Sequence, residues 1–218
     1  MDPRTPPVNS VRRKKAEATR GKIIQAAHQE FIERGFHGAT MAGIASRAGV
    51  ASQTVYFVFH TKPELISAVI DAAVLGEEDP RPPQAQAWWT EMVAEPGAAE
   101  ALRIFIRGAG DVFARAAAIS EVLRAAALTD SEVRRTYQYH ETLRRDGFGQ
   151  VLEMLAGKGP LRDDRSFDEL TDAFMTFYGD SMYNQLAAER GWTHEQIMAW
   201  LCDVLPGMLL AHPDSDGK

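Results

Sequence analysis

Residues 40–66 read TMAGIASRAGVASQTVYFVFHTKPELI, and the order of capping, apolar and turn-forming residues in this stretch decides the architecture of the N-terminal end. Thr40 is an N-cap type whose side chain satisfies one of the free amides at a helix start. Ile44, Ala45 and Ala48 then fall on one side of a short helix, and Gly49 breaks it. A second short segment over 51–57 follows at once. Two short helices across a tight glycine turn are a helix-turn-helix candidate, with the second as the recognition helix, and Ala45 is small enough for the two to cross closely. Thr61-Lys62-Pro63-Glu64 has the capping-box pattern and opens a further helix through Leu65, Ile66, Val69 and Ile70 to Gly76.

Upstream, Ile24, Ala27 and Phe31 recur at spacings of three and four, which predicts an amphipathic helix with Gly35 as its stop. Residues 1–15, with three prolines and the run Arg12-Arg13-Lys14-Lys15, carry almost nothing to bury and predict a disordered basic arm. Downstream, residues 77–83 are acidic and proline-rich, a flexible joint. Beyond them the pattern is helical throughout, with no alternating strand signal, so the fold class is all-α. Leu102, Phe105, Ile106, Ala109, Val112 and Phe113 share one long face. Capping boxes at Thr129-Asp130-Ser131-Glu132, Ser166-Phe167-Asp168-Glu169 and Thr193-His194-Glu195-Gln196 open three more helices. Pro206 lies inside the last of these and predicts a kink. Residues 213–218 read as a disordered tail.

Charge is divided unequally along the 218 residues. Residues 1–62 hold ten Lys and Arg against four acids, a net of +6, while the remainder holds 14 against 26, a net of −12. The division fits an end that faces a polyanion on a body that repels it, and equally a solvated basic tail; charge alone does not choose between them. The single cysteine, Cys202, excludes an intramolecular disulfide and reads as an inert packing residue. No stretch approaches the roughly 20 apolar residues that span a bilayer, and the N-terminus lacks a secretory pattern, so a cytoplasmic protein without membrane contact is expected. A search for catalysis finds little. The six histidines are scattered without metal-ligand spacing, Gly108-Ala109-Gly110 lacks a dinucleotide fingerprint, and Gly157-Lys158-Gly159 lacks the Walker spacing. These glycines read as packing and turn positions. The reading is a non-enzyme with no metal and no cofactor; a helical small-molecule enzyme, or a partner-binding protein with a basic arm, is the alternative.

The segment 20–65, through Thr40, Ile44-Ala45, Ala48-Gly49-Val50, Thr54-Val55-Tyr56, Phe59 and Lys62, resembles the DNA-binding domain of TetR-family transcriptional regulators. The resemblance implies a three-helix DNA-binding domain over 16–62 and a larger helical domain over 63–212 that binds an effector and dimerises. It implies that Thr40 and Lys62 bond phosphates, that Tyr56 points its hydroxyl at the DNA backbone, and that Phe57 and His60 lie at the same surface. Ser52, Gln53 and Thr54 occupy the first turns of the recognition helix. Residues 48–61 contain no Lys or Arg, so Gln53 to adenine and Thr54 to a thymine methyl are the expected base contacts, giving A·T discrimination. Two departures stand out: Ala51 replaces a common Ser cap, which shifts the capping role to Ser52 and takes it from base contact, and Val58 replaces an aromatic or His, which leaves one phosphate contact either missing or moved to His60.

For the body, the resemblance implies a homodimer through the helices at 166–189 and 193–211, matched to a palindromic double-stranded operator. It also implies a pocket for a small-molecule effector that releases the repressor. Trp88, Trp89, Phe105, Phe113, Tyr137, His140, Phe148, Phe174 and Tyr178 are the candidate lining, with Arg103, Arg107 and Arg124 as candidate polar anchors.

Overall fold

The computed structural model describes residues 8–76 and 81–211, with side chains from residue 12 onward in the first helix. Helix α1 runs Val8–Gly38, α2 Met41–Ala48, α3 Ser52–Val58 and α4 Lys62–Leu75. After a 3₁₀ turn at Pro83–Ala85 come α5 Ala87–Ala94, α6 Ala98–Ala127, α7 Ser131–Ala156, α8 Phe167–Phe177, the short α9 Asp180–Asn184 with a π-helical turn at Gln185–Glu189, and α10 His194–Leu209. The chain is all-α, as its periodicity predicts.

The expected arm is partly helix. Residues 8–15 continue α1, because the Arg and Lys residues at 12–15 are good helix formers even with nothing to bury, and the exposed Arg13–Glu17 pair adds a turn-to-turn contact. Residues 1–7 and the expected tail at 213–218 lie outside the described residues, as do residues 77–80 of the expected joint. Gly35 is a break rather than a stop: it takes φ 66°, ψ 174°, and the helical run resumes to Gly38.

Two apolar clusters organise the helices. The first is built by Ile23, Phe31 and Phe36 of α1, Ile44 of α2, Val55 of α3, Phe59, and Leu65, Ile66 and Val69 of α4, closed by Ala116, Ile119 and Leu123 of α6. The second joins Met92, Leu102, Ile106, Phe113, Leu152, Phe174, Ile197, Leu201 and Leu205. Helix α6 belongs to both. A boundary at residue 62 therefore cuts through packed core: α4 and the C-terminal half of α6 complete the apolar centre of the N-terminal module.

Local capping follows the sequence at most helix starts. Ser166 and Thr193 each form a complete reciprocal box with Glu169 and Gln196. At α7 the cap is Asp130, not Thr129; its Oδ1 accepts from the amides of Glu132 and Val133, and a carboxylate is the stronger acceptor at a helix N-terminus. At α4 Thr61 caps as expected, while Glu64 reaches the amide of His60 rather than that of Thr61. The single helix expected over 166–189 is broken. Tyr178 leaves helical geometry at φ −105°, ψ 63°, and its buried hydroxyl donates to the Ile106 carbonyl at 2.7 Å. A side chain at Gly179 would meet the Met175 carbonyl at 2.4 Å. Gly108 and Gly110 are packing positions: Cβ atoms there would strike Trp88 at 2.3 Å and Met198 Sδ at 2.6 Å.

Pro206 sits inside α10 and cannot donate to the carbonyl one turn earlier, at Cys202. Arg103 of α6 fills that gap, donating Nε to the Cys202 carbonyl at 3.3 Å.

Candidate nucleic-acid interface and internal cavity

Gly49 makes the helix-turn-helix possible. It adopts φ 67°, ψ 35°, the left-handed region that favours glycine, and its amide and that of Val50 return to α2 carbonyls. Thr40 Oγ1 accepts from the Gly43 amide at 3.0 Å. Helix α3 then leaves the turn with Ala51 as a cap that supplies no side-chain bond. Ser52 does not take over that role; it is the first helical residue and is exposed.

Only Val55 of α3 is buried. Ser52 and Gln53 are exposed and Thr54 half-buried, whereas Val58 packs against the first core. Tyr56 is 53% and Phe57 83% exposed, so neither ring is a core residue. His60 is exposed beside them. The structure thus gathers Ser52, Gln53, Tyr56 and Phe57 on one solvent-facing surface, with Thr40 exposed at the start of α2.

Lys62 stands apart. Its ammonium donates to the carbonyls of Phe36 and Ala39 at 2.7 and 2.9 Å and lies 4.5 Å from the Phe36 ring centroid. The end of α1 presents free carbonyls and the negative pole of its dipole, which a cation complements. Burial lowers the Lys62 pKa. Two of its three N–H groups are thereby used within the protein, and one is left for a phosphate.

Arg47 is a clamp that sequence reasoning missed. It donates Nε to Glu30 at 3.0 Å and also bonds Glu33 and Gln29. Glu30 is only 5% exposed, and a carboxylate so placed needs a paired cation. Arg34 completes the pairing at 3.1 Å. Among the described residues, the free positive charge of the module therefore lies at Arg12, Lys14, Lys15 and Lys22, which are exposed, and at Arg20, whose guanidinium sits 4.4 Å from the Phe59 ring centroid.

In the body, a cavity of about 420 Å³ opens between α4, α5, α6 and α7 and the start of α9. Trp88, Trp89, Phe105, Phe113, Tyr137, His140, Phe148 and Tyr178 line it. Phe174 does not; it is fully buried behind them, 4.7 Å from Phe148 and 5.7 Å from Phe105 between ring centroids. Of the three candidate anchors, only Arg124 reaches the cavity. Arg103 and Arg107 instead bond Glu100 on their own helix, Arg103 while also capping Cys202.

The polar part of the wall comes mainly from residues the periodicity did not single out: Ser120, Glu121, Glu141, Arg144 and Asp180. Arg144 pairs with Asp180 at 3.3 Å and with Glu141 at 3.2 Å, and Arg124 pairs with Glu121. Burial raises the Asp180 pKa against the opposing pull of Arg144. The Arg144 Nε–H is buried without a partner. His140 shares a 2.9 Å hydrogen bond with Ser67 of α4, and burial lowers its pKa despite nearby Asp71. A second space of about 490 Å³, between α4 and α7, is an open groove with largely polar and charged walls, and water there leaves little to gain from burying a ligand.

On the far side of the body, α8 to α10 leave Phe167, Phe177 and Trp192 between 37% and 40% exposed, with Trp192 edge-on to Trp200. Cys202 lies under this layer, its thiol pKa raised by burial, which fits an inert packing residue. No helix among the described residues is long and apolar enough to cross a membrane.

A short helix with an unburied aromatic face, held by a glycine turn on a three-helix module, is a helix-turn-helix arrangement. Residues 23–69 match the family described as bacterial regulatory proteins, tetR family. Among curated relatives, the HTH-type transcriptional regulator TtgR of Pseudomonas putida is 45% identical over 64 residues, 28% of this chain and 30% of the relative. The HTH-type transcriptional repressor BepR of Brucella suis is 41% identical over 71 residues, 32% of this chain and 34% of the relative. The matches thus span about a third of those relatives' length. Solved structures extend the likeness of fold to the body. FadR of Bacillus subtilis, in complex with stearoyl-CoA, superposes with a TM-score of 0.63 at 16% identity, covering 87% of this chain and 97% of that one. NalD of Pseudomonas aeruginosa, the secondary repressor of the MexAB-OprM multidrug efflux pump, gives 0.65 at 18%, covering 89% and 98%.

Proposed function

We propose that this protein is a homodimeric, cytoplasmic repressor that binds a palindromic operator through α3 and is released when a small molecule enters the cavity. The observation that carries this reading is the exposed face of α3, where Tyr56 and Phe57 stand in solvent on a helix with a single buried residue. Gln53 and Thr54 read bases, Thr40, Tyr56 and His60 bond phosphates, and the cations of α1 add salt-dependent attraction. The apolar surface of Phe167, Phe177 and Trp192 supports dimerisation through α8 and α10. Two recognition helices related by a two-fold axis can then meet major grooves about 34 Å apart. A ligand in the cavity reaches α4 through the His140–Ser67 bond, and it weakens operator binding only by the difference in its affinity for the free and DNA-bound states. A solved protein of the same fold that holds stearoyl-CoA supports a ligand in this architecture.

The test is selection of bound fragments from random duplex DNA by the purified chain at two salt concentrations. Recovery of a palindrome, with A·T preference lost in Gln53→Ala, is the expected result. Binding that disappears with salt and selects no sequence would reduce the module to an electrostatic arm.

A further inference from the structure

The charges around the cavity separate the ligands it will admit from those it will refuse. Its wall carries four acids, Asp71, Glu121, Glu141 and Asp180, and two bases, Arg124 and Arg144. Both guanidiniums are already engaged, Arg124 by Glu121 and Arg144 by Glu141 and Asp180. A carboxylate or phosphate ligand would find the buried Arg144 Nε–H open, but it would add negative charge to a wall with an excess of two acids. His140 does not offset this, because its burial favours the neutral imidazole.

A cation meets the opposite balance. Asp180 is half-buried, its side chain 20% exposed, so a positive group entering beside it gains a carboxylate whose attraction is less screened than at the open surface. The aromatic residues that line the cavity offer π-systems that attract cations and apolar surface to bury. A volume of about 420 Å³ suits a drug-sized molecule.

We propose that the effector is a lipophilic organic cation, its apolar body held against Trp88, Phe105 and Phe148 and its charge placed toward Glu141 and Asp180. This rests on the reading of the cavity as the effector site. Tetraphenylphosphonium and tetraphenylborate share shape and size but differ in sign, and titrating each into the full chain by calorimetry isolates charge from hydrophobicity. The phosphonium should bind about tenfold or more tightly than the borate. Asp180→Asn and Glu141→Gln should each erode that preference, the second serving if loss of the more buried carboxylate impairs folding. Trp88→Ala should weaken both ions. Equal affinities, or a preference for the borate, would overturn the cation assignment and leave the cavity as a binding site. Phosphonium binding untouched by Trp88→Ala would place the ion elsewhere and overturn the assignment too. Binding of neither ion by protein that still binds its selected DNA would overturn both the assignment and the effector reading.

Discussion

The N-terminal module and the body handle their aromatic and charged residues in opposite ways. In α3 two aromatic rings stand in water while the nearest buried charge, Glu30, is clamped by Arg47 and Arg34 for purely structural ends. In the body the rings at the centre of α5, α6 and α7 line the cavity, and Arg144 and Asp180 follow them in. On the proposed reading, rings facing out meet a charged polymer whose backbone the module grips, and rings facing in enclose a small molecule. The contrast shows that neither burial nor exposure by itself marks function. What marks it is a departure from the usual placement that packing alone does not account for.

The sharpest way to break this comparison is to remove the exposed rings. Tyr56→Ala combined with Phe57→Ala should lower operator affinity by about 100-fold and leave the thermal unfolding midpoint almost unchanged, because both side chains stand mainly in solvent. Operator affinity measured by fluorescence anisotropy, beside calorimetric unfolding, would show it; a collapse of stability with affinity would mean the rings are structural. The reciprocal change in the body is Gly108→Val. The new side chain enters the Trp88 ring, so stability should fall by about 1–3 kcal/mol and ligand binding should be lost, with operator affinity kept below the melting temperature. Lys62→Met tests the contact that ties the end of α1 to α4. Two carbonyls lose their donor, and urea unfolding should report a loss of about 1–2 kcal/mol.

The smallest effect concerns pH. Burial lowers the His140 pKa from its usual value near 6.5, so the neutral ring stabilises the fold above that value, and the contribution is lost as pH falls from 6.5 through the lower folded value. The unfolding midpoint should drop by a few degrees across that interval, and His140→Asn should flatten the drop. An unchanged slope in the variant would assign the acid sensitivity to other groups.

Much of the module was legible because its signals are local. Thr40, Gly49 and Thr61 act on amides or dihedral angles within a few residues of themselves, and a sequence window contains both partners. Lys62 was harder: its acceptors lie 23 and 26 residues earlier, and only the packed module brings them together. The same limit governs the cavity. Its aromatic lining could be inferred from apolar stripes, yet Phe174, on the same kind of stripe, is one layer too deep. The polar wall is assembled from α6, α7 and the start of α9, and a charged residue on a helix gives no sign of whether it faces water or a cavity. Residues 178 and 179 hid their break for a similar reason, since it depends on Tyr178 finding the Ile106 carbonyl 72 residues away.

Helix α6 spans about 45 Å at 1.5 Å per residue, and its two halves complete different apolar centres. The DNA-binding module is therefore not a detachable part. Cutting the chain after α4 would strip the cover from Leu65, Ile66 and Val69 and leave an open, sticky face. A fusion that borrows this module for a new regulator should carry the distal half of α6 with it, and a lesion anywhere along that rod should lower the melting temperature of both ends together.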